Sequence, residues 1–171
     1  MIRQKSFISN SPKLYLVATP IGNLSDFTFR AVETLKNVEV CFAEDTRVTR
    51  VLFEHYGITT RLECYQEHNK EVQAKTVLKY LENGYDVALV SDAGMPIISD
   101  PGQGLVHYLV ENDYKIEVIP GVTALITAIV RSGMDSTRFT FEGFLSVSKK
   151  QRIKRLEELR NEIRTMIFYE A

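Results

Sequence analysis

Asp92 and Asp100 stand in SDAGMPIISDPGQG (91–104), a stretch that also holds Gly94, Pro96, Pro101, Gly102 and Gly104 and follows the apolar run YDVALV. A simple turn needs one or two such residues. Five of them around two carboxylates describe a loop of defined shape at a strand end, where ligands are commonly held. Glycine lets the backbone come within hydrogen-bond distance of a ligand, and proline fixes the chain around it. Asp92 has two readings: it accepts from ribose hydroxyls or a cationic group, or it bonds the loop's own N–H groups. No segment matches a Walker A or G-x-G-x-x-G pattern, and DPGQG lacks a lysine, which argues against a nucleoside-triphosphate site.

A second stretch, AEDTRVTR (43–50), opens a helix behind a strand. Negative charge is favourable at a helix N-terminus, so capping accounts for Glu44 and Asp45. Arg47 and Arg50 are three apart, share a helix face and suit phosphates beside a cleft. Residues 149–164, KKQRIKRLEELRNEIR, carry seven Lys/Arg against three Glu in a chain of net charge −1. Apolar Ile153, Leu156, Leu159 and Ile163 fall at helical spacing, which turns Lys149, Lys150, Arg152, Lys154 and Arg155 outward. That face is either solvated or a patch for phosphate. His55, His68 and His107 show no metal-ligand spacing, no catalytic triad is visible, and no metal is expected. Cys41 and Cys64 lack C-x-x-C spacing and read as packing residues rather than a disulfide or zinc pair.

The elements behind these loops alternate. KLYLVAT (13–19), VEVCFAE (38–44), RLECYQ, YDVALVSD and KIEVIPG read as strands. Between them, helices are expected over FTFRAVETLKN, DTRVTRVLFEHYG, NKEVQAKTVLKYLENG and GQGLVHYLVEND, followed by VTALITAIVRSG. Ser25 or Asp26 is the expected cap of the first helix, with Phe29, Val32 and Leu35 on its apolar face, and Gly57 ends the second. Alternation with near-continuous apolar strands predicts an α/β domain built on a largely parallel sheet. Its carboxyl edge then gathers ATPIGNLSD (18–26), SDAGMPIISDPG (91–102) and PGVTA (120–124), where open α/β sheets bind ligands.

After Gly133 the character changes to a strand, the basic helix and a last strand, TMIFYEA. We expect a domain over 1–133 and the beginning of a second over 134–171. The composition, 44% hydrophobic and 25% charged, fits a globular protein, and no apolar run approaches the ~20 residues of a membrane helix. The polar MIRQKSFISNSP and short LYLVA do not make a signal-peptide core, so a cytoplasmic location is expected. The near-neutral net charge argues against binding nucleic acid over the whole surface.

VATPIGNLSD, AEDTR, LVSDAGMPIISDPG, PGVTA, EGFL and IFYE appear together and in order. In this the chain, over residues 13–171, resembles the bacterial small-subunit (16S) ribosomal RNA (cytidine-2′-O)-methyltransferases, of the tetrapyrrole methylase-like superfamily (class III S-adenosylmethionine methyltransferases). The resemblance implies two α/β domains with S-adenosyl-L-methionine in the cleft between them, a homodimer, and ribosomal RNA of the 30S subunit as substrate. It implies that Ser91, Asp92, Ala93 and Gly94 cradle the donor, with Ile97, Thr123 and Ala124 beside them. Pro20 and Gly22 then line the cleft, and Tyr169 and Glu170 close it from the second domain. Asp45 and Asp100 become candidates for the base that activates a ribose 2′-hydroxyl, and Arg47, Arg50 and the helix from Lys149 hold RNA phosphates. Met95 and Ser146 depart from the family's usual Thr and Pro, and family members continue well beyond FYE. Two rivals stand beside this reading: a methyltransferase acting on a tetrapyrrole ring, and a non-catalytic nucleotide-sensing module.

Overall fold

Strands whose both faces are apolar must be covered on both sides, and this chain supplies the cover from its own crossovers. A computed structural model describes residues 11–170; the polar stretch through residue 10, and Ala171, lie outside the described residues. β1 (Lys13–Val17), β2 (Val40–Ala43), β3 (Arg61–Cys64), β4 (Val87–Val90) and β5 (Lys115–Ile119) form one sheet in the order β3-β2-β4-β1-β5. Every pairing in it is parallel. Alternate side chains feed two cores. Val17, Cys41, Ala43, Ala88, Val90 and Ile119 pack with Ala31 and Leu35 of α1 (Phe29–Asn37) and with Leu52 and Phe53 of α2 (Thr46–Tyr56). Leu14, Leu16, Val40, Phe42, Val87 and Leu89 pack with Val77 and Leu81 of α3 (Lys70–Glu82) and with Leu105 and Leu109 of α4 (Gln103–Glu111). Each leucine buried in this way contributes about 1.5–3 kcal/mol.

The two faces follow from the handedness of crossovers. β1, β2 and β3 step one way across the sheet with α1 and α2 on one face. β3, β4 and β5 step back with α3 and α4 on the other, as right-handed connections require. β1 and β4 are neighbours whose following loops therefore diverge to opposite faces. This is the topological switch point, where such sheets open a crevice.

Two local expectations are corrected. α1 is capped by Thr28, whose hydroxyl accepts from Ala31 N at 3.1 Å, whereas Ser25 and Asp26 lie in a short turn (Leu24–Asp26) capped by Asn23. Its buried stripe consequently runs through Ala31 and Leu35, and Phe29 is 97% exposed. Residues two apart on a helix lie on nearly opposite sides, so Phe29 and Ala31 cannot share a face. The capping of α2 by Asp45 and its end at left-handed Gly57 are as expected.

By its internal contacts the chain divides into two compact units, one ending at Thr123 and the other beginning at Ala124; the division expected from composition falls after Gly133. The second unit holds α5 (Ala124–Ser132), β6 (Phe139–Phe144), α6 (Lys149–Glu158) and β7 (Thr165–Tyr169). β6 and β7 pair in parallel across a bulge near Gly143, with α6 as the crossover. α6 stops before Leu159, so of the four apolar positions expected to form its stripe, Leu159 is buried just past the end and Ile163 is 96% exposed beyond it.

Candidate functional site

At the carboxyl edge of the first unit the loops are tied to one another by named bonds. Thr19, two residues after β1, exchanges backbone hydrogen bonds with Gly94 in the loop after β4, at 2.8 and 3.1 Å. The Thr19 hydroxyl also donates to Ser91 O at 3.1 Å. Gly94 holds φ 86°, and a Cβ there would sit 3.4 Å from Ile21 Cγ2 and 3.7 Å from Val122 O. That one glycine therefore touches the loops after β1 and β5 together. Gly121 comes closer still to Ala18: an added Cβ would lie 2.8 Å from the Ala18 Cβ. The loop after β2 joins through Asp45, whose N–H donates to Asp92 Oδ1 at 3.0 Å. All four loops are thus in contact at the switch point.

The same geometry divides the acidic residues into two kinds. Asp45 accepts from Arg47 N at 2.8 Å and from the Arg47 guanidinium at 2.6 Å, and that arginine lowers its carboxyl to about 2. Glu44, Asp92 and Asp100 go the other way. Burial is the first cause for each, and mutual repulsion among the carboxylates adds to it, so all three hold protons more tightly than free carboxylates. For Asp92 the bond from Asp45 N works against the rise, and for Asp100 a hydrogen bond from the Ser91 side chain does. The Ser91 hydroxyl also reaches Gly94 O at 3.3 Å. It has one proton to give, so donating to one acceptor leaves the other without it.

The loop after β4 is strained as well as tied. Ile97 and Ser99 have φ values of 78° and 68°, and a β-branched residue in this region is an outlier that surrounding contacts must hold in place. Gly102 is confined too, since a Cβ there would come within 2.8 Å of Ile97 Cδ1.

Two hollows flank this loop. The first has a volume of about 320 Å³ and is walled by Pro20, Gly22, Leu24, Val51, Ser91 and Asp92 among others. The second, of about 700 Å³, lies toward α3 and α4, with Tyr65, Lys75, Asp100, Pro101 and Tyr108 on its walls. Of the expected donor-site residues, Pro20, Gly22, Ser91, Asp92, Ala93, Gly94, Ile97 and Thr123 fall in the first unit. Ala124 opens α5, Tyr169 ends β7 and Glu170 follows it, all in the second. Tyr169 packs edge-on against Phe141 and Phe144. Asp45 and Asp100, proposed together as bases, differ in their surroundings as described. Among the described residues no three His, Cys, Asp or Glu are grouped to hold a metal, and no helix is long and apolar enough to cross a membrane.

The basic residues also separate. Arg47 is engaged by Asp45, Arg155 by Glu142 and Glu158, and Arg152 donates to Ser146 O. The side chains of Arg50, Lys149, Lys150 and Lys154 make no hydrogen bond or ion pair among the described residues, and all four residues are exposed. Sequence reasoning missed Thr19, Leu24 and the α2 residues Val48, Thr49, Val51 and Leu52 on the cavity wall. A signal was present: Val48 and Val51 add apolar positions outside the Leu52–Phe53 stripe that faces the sheet.

Residues 13–171 match the family described as tetrapyrrole (corrin/porphyrin) methylases. The chain is 49% identical over its whole length to the ribosomal RNA small subunit methyltransferase I of Halalkalibacterium halodurans, covering 60% of that protein. It is 52% identical over 92% of its length to the protein of the same name from a Synechocystis species, covering 57% of it. The chain therefore spans somewhat more than half the length of these relatives. Among solved structures, uroporphyrin-III-C-methyltransferase from Thermus thermophilus aligns with a TM-score of 0.60 at 21% identity, over 78% of this chain and 60% of that one, a likeness of fold.

Proposed function

Since the chain belongs to the tetrapyrrole (corrin/porphyrin) methylase family, we propose that it serves an S-adenosylmethionine-dependent methyltransferase acting on the 2′-hydroxyl of a cytidine in small-subunit (16S) ribosomal RNA. One observation carries the reading. The four carboxyl-edge loops tied together at Thr19, Gly94 and Asp92 belong to a chain about half identical to proteins named for small-subunit RNA methylation. The protein would then work in the cytoplasm on 30S subunits, as a homodimer.

The residues present suit the donor. Gly22 leaves open space around its Cα, and Gly94 presents backbone where any side chain would be strained. Asp92 offers a carboxylate to ribose hydroxyls, and Ser91, Ala93, Ile97, Pro20 and Thr123 are the other first-unit residues suited to the donor; Ala124, Tyr169 and Glu170 belong to the second unit. When bound, the donor supplies a methyl group on a sulfonium, a leaving group good enough that positioning accounts for much of the rate. The protein's chemical task is then to hold the ribose hydroxyl in line and accept its proton. Asp100, half-buried and raised, suits that proton better than Asp45, which is bound to Arg47 and lowered to about 2. Arg50, Lys149, Lys150 and Lys154, free of protein partners among the described residues, meet phosphates.

The test is methylation of 30S subunits from cells lacking the gene, followed by nucleoside mass spectrometry. A new 2′-O-methylcytidine is expected. Methyl transfer to a tetrapyrrole but not to RNA would reverse the assignment.

A further inference from the structure

We infer that the hollow of about 700 Å³ beside α3 and α4 holds a phosphate of the RNA backbone, received by the N-terminus of α4 and the Tyr65 hydroxyl. The inference rests on the RNA methyltransferase reading above and names a substrate-binding site for it.

Tyr65 is 2% exposed, sets its ring edge-on against Phe42, and stands on the wall of this hollow. Its hydroxyl makes no hydrogen bond among the described residues. The described side-chain polar atoms that are both unbonded and fully enclosed belong to Thr49, Gln73 and Thr140, so the Tyr65 hydroxyl keeps an open side toward the hollow. Burial first, and then nearby Glu67, raise its pKa, so it stays protonated and able to donate. A hydroxyl buried without a partner is costly to keep, and a ligand that accepts from it offsets the cost.

α4 meets the same space with donors to spare. Its N-cap, Gly102, provides no side-chain acceptor, and the N–H groups of Gln103, Gly104 and Leu105 have no acceptor among the described residues. A Cβ on Gly104 would meet nothing within 4 Å, so the backbone there lies open. Unbonded N–H groups at the positive end of a helix dipole bind anions. Lys75, on the same wall, is exposed, and its side chain has no hydrogen bond or ion pair among the described residues. Of the glutamates there, Glu67 is held by Lys70 and Glu71 is exposed.

Position assigns the anion to RNA rather than to the donor. None of the expected donor-site residues lines this hollow, and S-adenosylmethionine carries no phosphate. Asp100, the proposed acceptor of the ribose proton, does line it, two residues before Gly102. In RNA the 2′-hydroxyl and the 3′-phosphate sit on adjacent ribose carbons, so a 3′-phosphate held at α4 brings its hydroxyl to Asp100.

The experiment compares Tyr65→Phe and Lys75→Gln with the parent in the whole protein. Measured are 30S affinity across salt concentration, affinity for inorganic phosphate and for the donor by calorimetry, and thermal midpoint. Tyr65→Phe is expected to weaken 30S binding about tenfold at an unchanged salt slope, because it loses a hydrogen bond to an anion but no charge. Lys75→Gln should lower the log–log slope by about 0.7. Both should keep donor affinity within about twofold. Tyr65→Phe should not lower the midpoint, since its hydroxyl has no internal bond to lose. Parental 30S affinity in Tyr65→Phe overturns the assignment, and if phosphate binding alone is weakened the hollow takes a free anion instead. A fall in donor affinity also overturns it, by giving the hollow to the donor. Absence of methyl transfer to RNA by the parent protein would instead overturn the reading on which the inference rests.

Discussion

Thr19 and Gly94 exchange two backbone hydrogen bonds, from Thr19 N to Gly94 O at 2.8 Å and from Gly94 N to Thr19 O at 3.1 Å. One follows β1 and the other follows β4, so the bridge spans the two neighbouring strands whose connections leave for opposite faces of the sheet. Without it the crevice would have no fixed width. Everything proposed for the site depends on that spacing.

Gly94→Ala tests the bridge directly. An L side chain at φ 86° is strained by about 1–2 kcal/mol, and its methyl meets Ile21 Cγ2 at 3.4 Å. We expect stability in urea to fall by about that amount and donor affinity to fall more than tenfold, about 1.4 kcal/mol. A variant with parental affinity would remove this loop from the donor site.

Gly121 and Ala18 make a second joint, and its test is a cycle. Gly121→Ala alone puts a methyl 2.8 Å from the Ala18 Cβ and is expected to cost about 1–3 kcal/mol by overpacking. Adding Ala18→Gly vacates that space, so the double variant should recover part of the loss. A coupling energy of at least about 0.5 kcal/mol in denaturant unfolding is expected. Strict additivity would show that the loops after β1 and β5 relax independently.

How far the sequence carries the site is clear from these residues. The apolar strands and their punctuated loops make the parallel sheet legible, because burial on both faces leaves a mark in composition. The left-handed glycine at 57 and the Asp45 cap are local devices and were equally readable. Thr28 was passed over because Ser25 and Asp26 are as good as caps on their own terms; only the position of the Ala31–Leu35 stripe decides among them. Thr19 and the cavity wall were hidden for a different reason. Thr19 carries no signal until β1 and β4 are neighbours, and the pairing of β1 with β4 rather than β2 is a property of the whole chain. The partners of Arg47, Arg152 and Arg155 were likewise beyond reach, since a run of cations does not say which of them its own carboxylates will hold.

The two kinds of carboxylate predict opposite pH behaviour. The folded-state value of Asp100 lies above its ordinary 3.8, mainly through burial, so the native state binds the extra proton. Its contribution to stability therefore falls as pH rises from about 3.8 through the raised value, and stays low above it. Asp100→Asn removes that penalty: the variant should melt higher than the parent at pH 7, with the difference vanishing near pH 3, while methyl transfer drops. Asp45, lowered to about 2, has the reverse sign. Its contribution is present above 3.8 and is lost as pH falls toward 2, so Asp45→Asn should melt lower at pH 7 and match the parent in strong acid. Melting curves from about pH 1.5 to 7 check both, and parallel slopes in the two variants would contradict the assignment.

The last prediction separates cations that α6 uses internally from those it has to spare. Arg155 is bound to Glu142 at 2.6 Å and to Glu158 at 3.0 Å, tying α6 to β6. Lys149, Lys150 and Lys154 have no such partners among the described residues, and no described carboxylate competes with a phosphate for them. Replacing all three lysines with Gln should therefore flatten the dependence of RNA affinity on salt. At about 0.7 per lost contact on single-stranded RNA, the log–log slope should fall by about 2. Arg155→Gln should leave that slope nearly unchanged and instead lower the melting temperature, because it leaves the half-buried Glu142 carboxylate without its partner. Donor affinity should be the same in both. An unchanged slope in the triple variant would mean that this helix face meets only water, and RNA contact would then fall to Arg50 on α2.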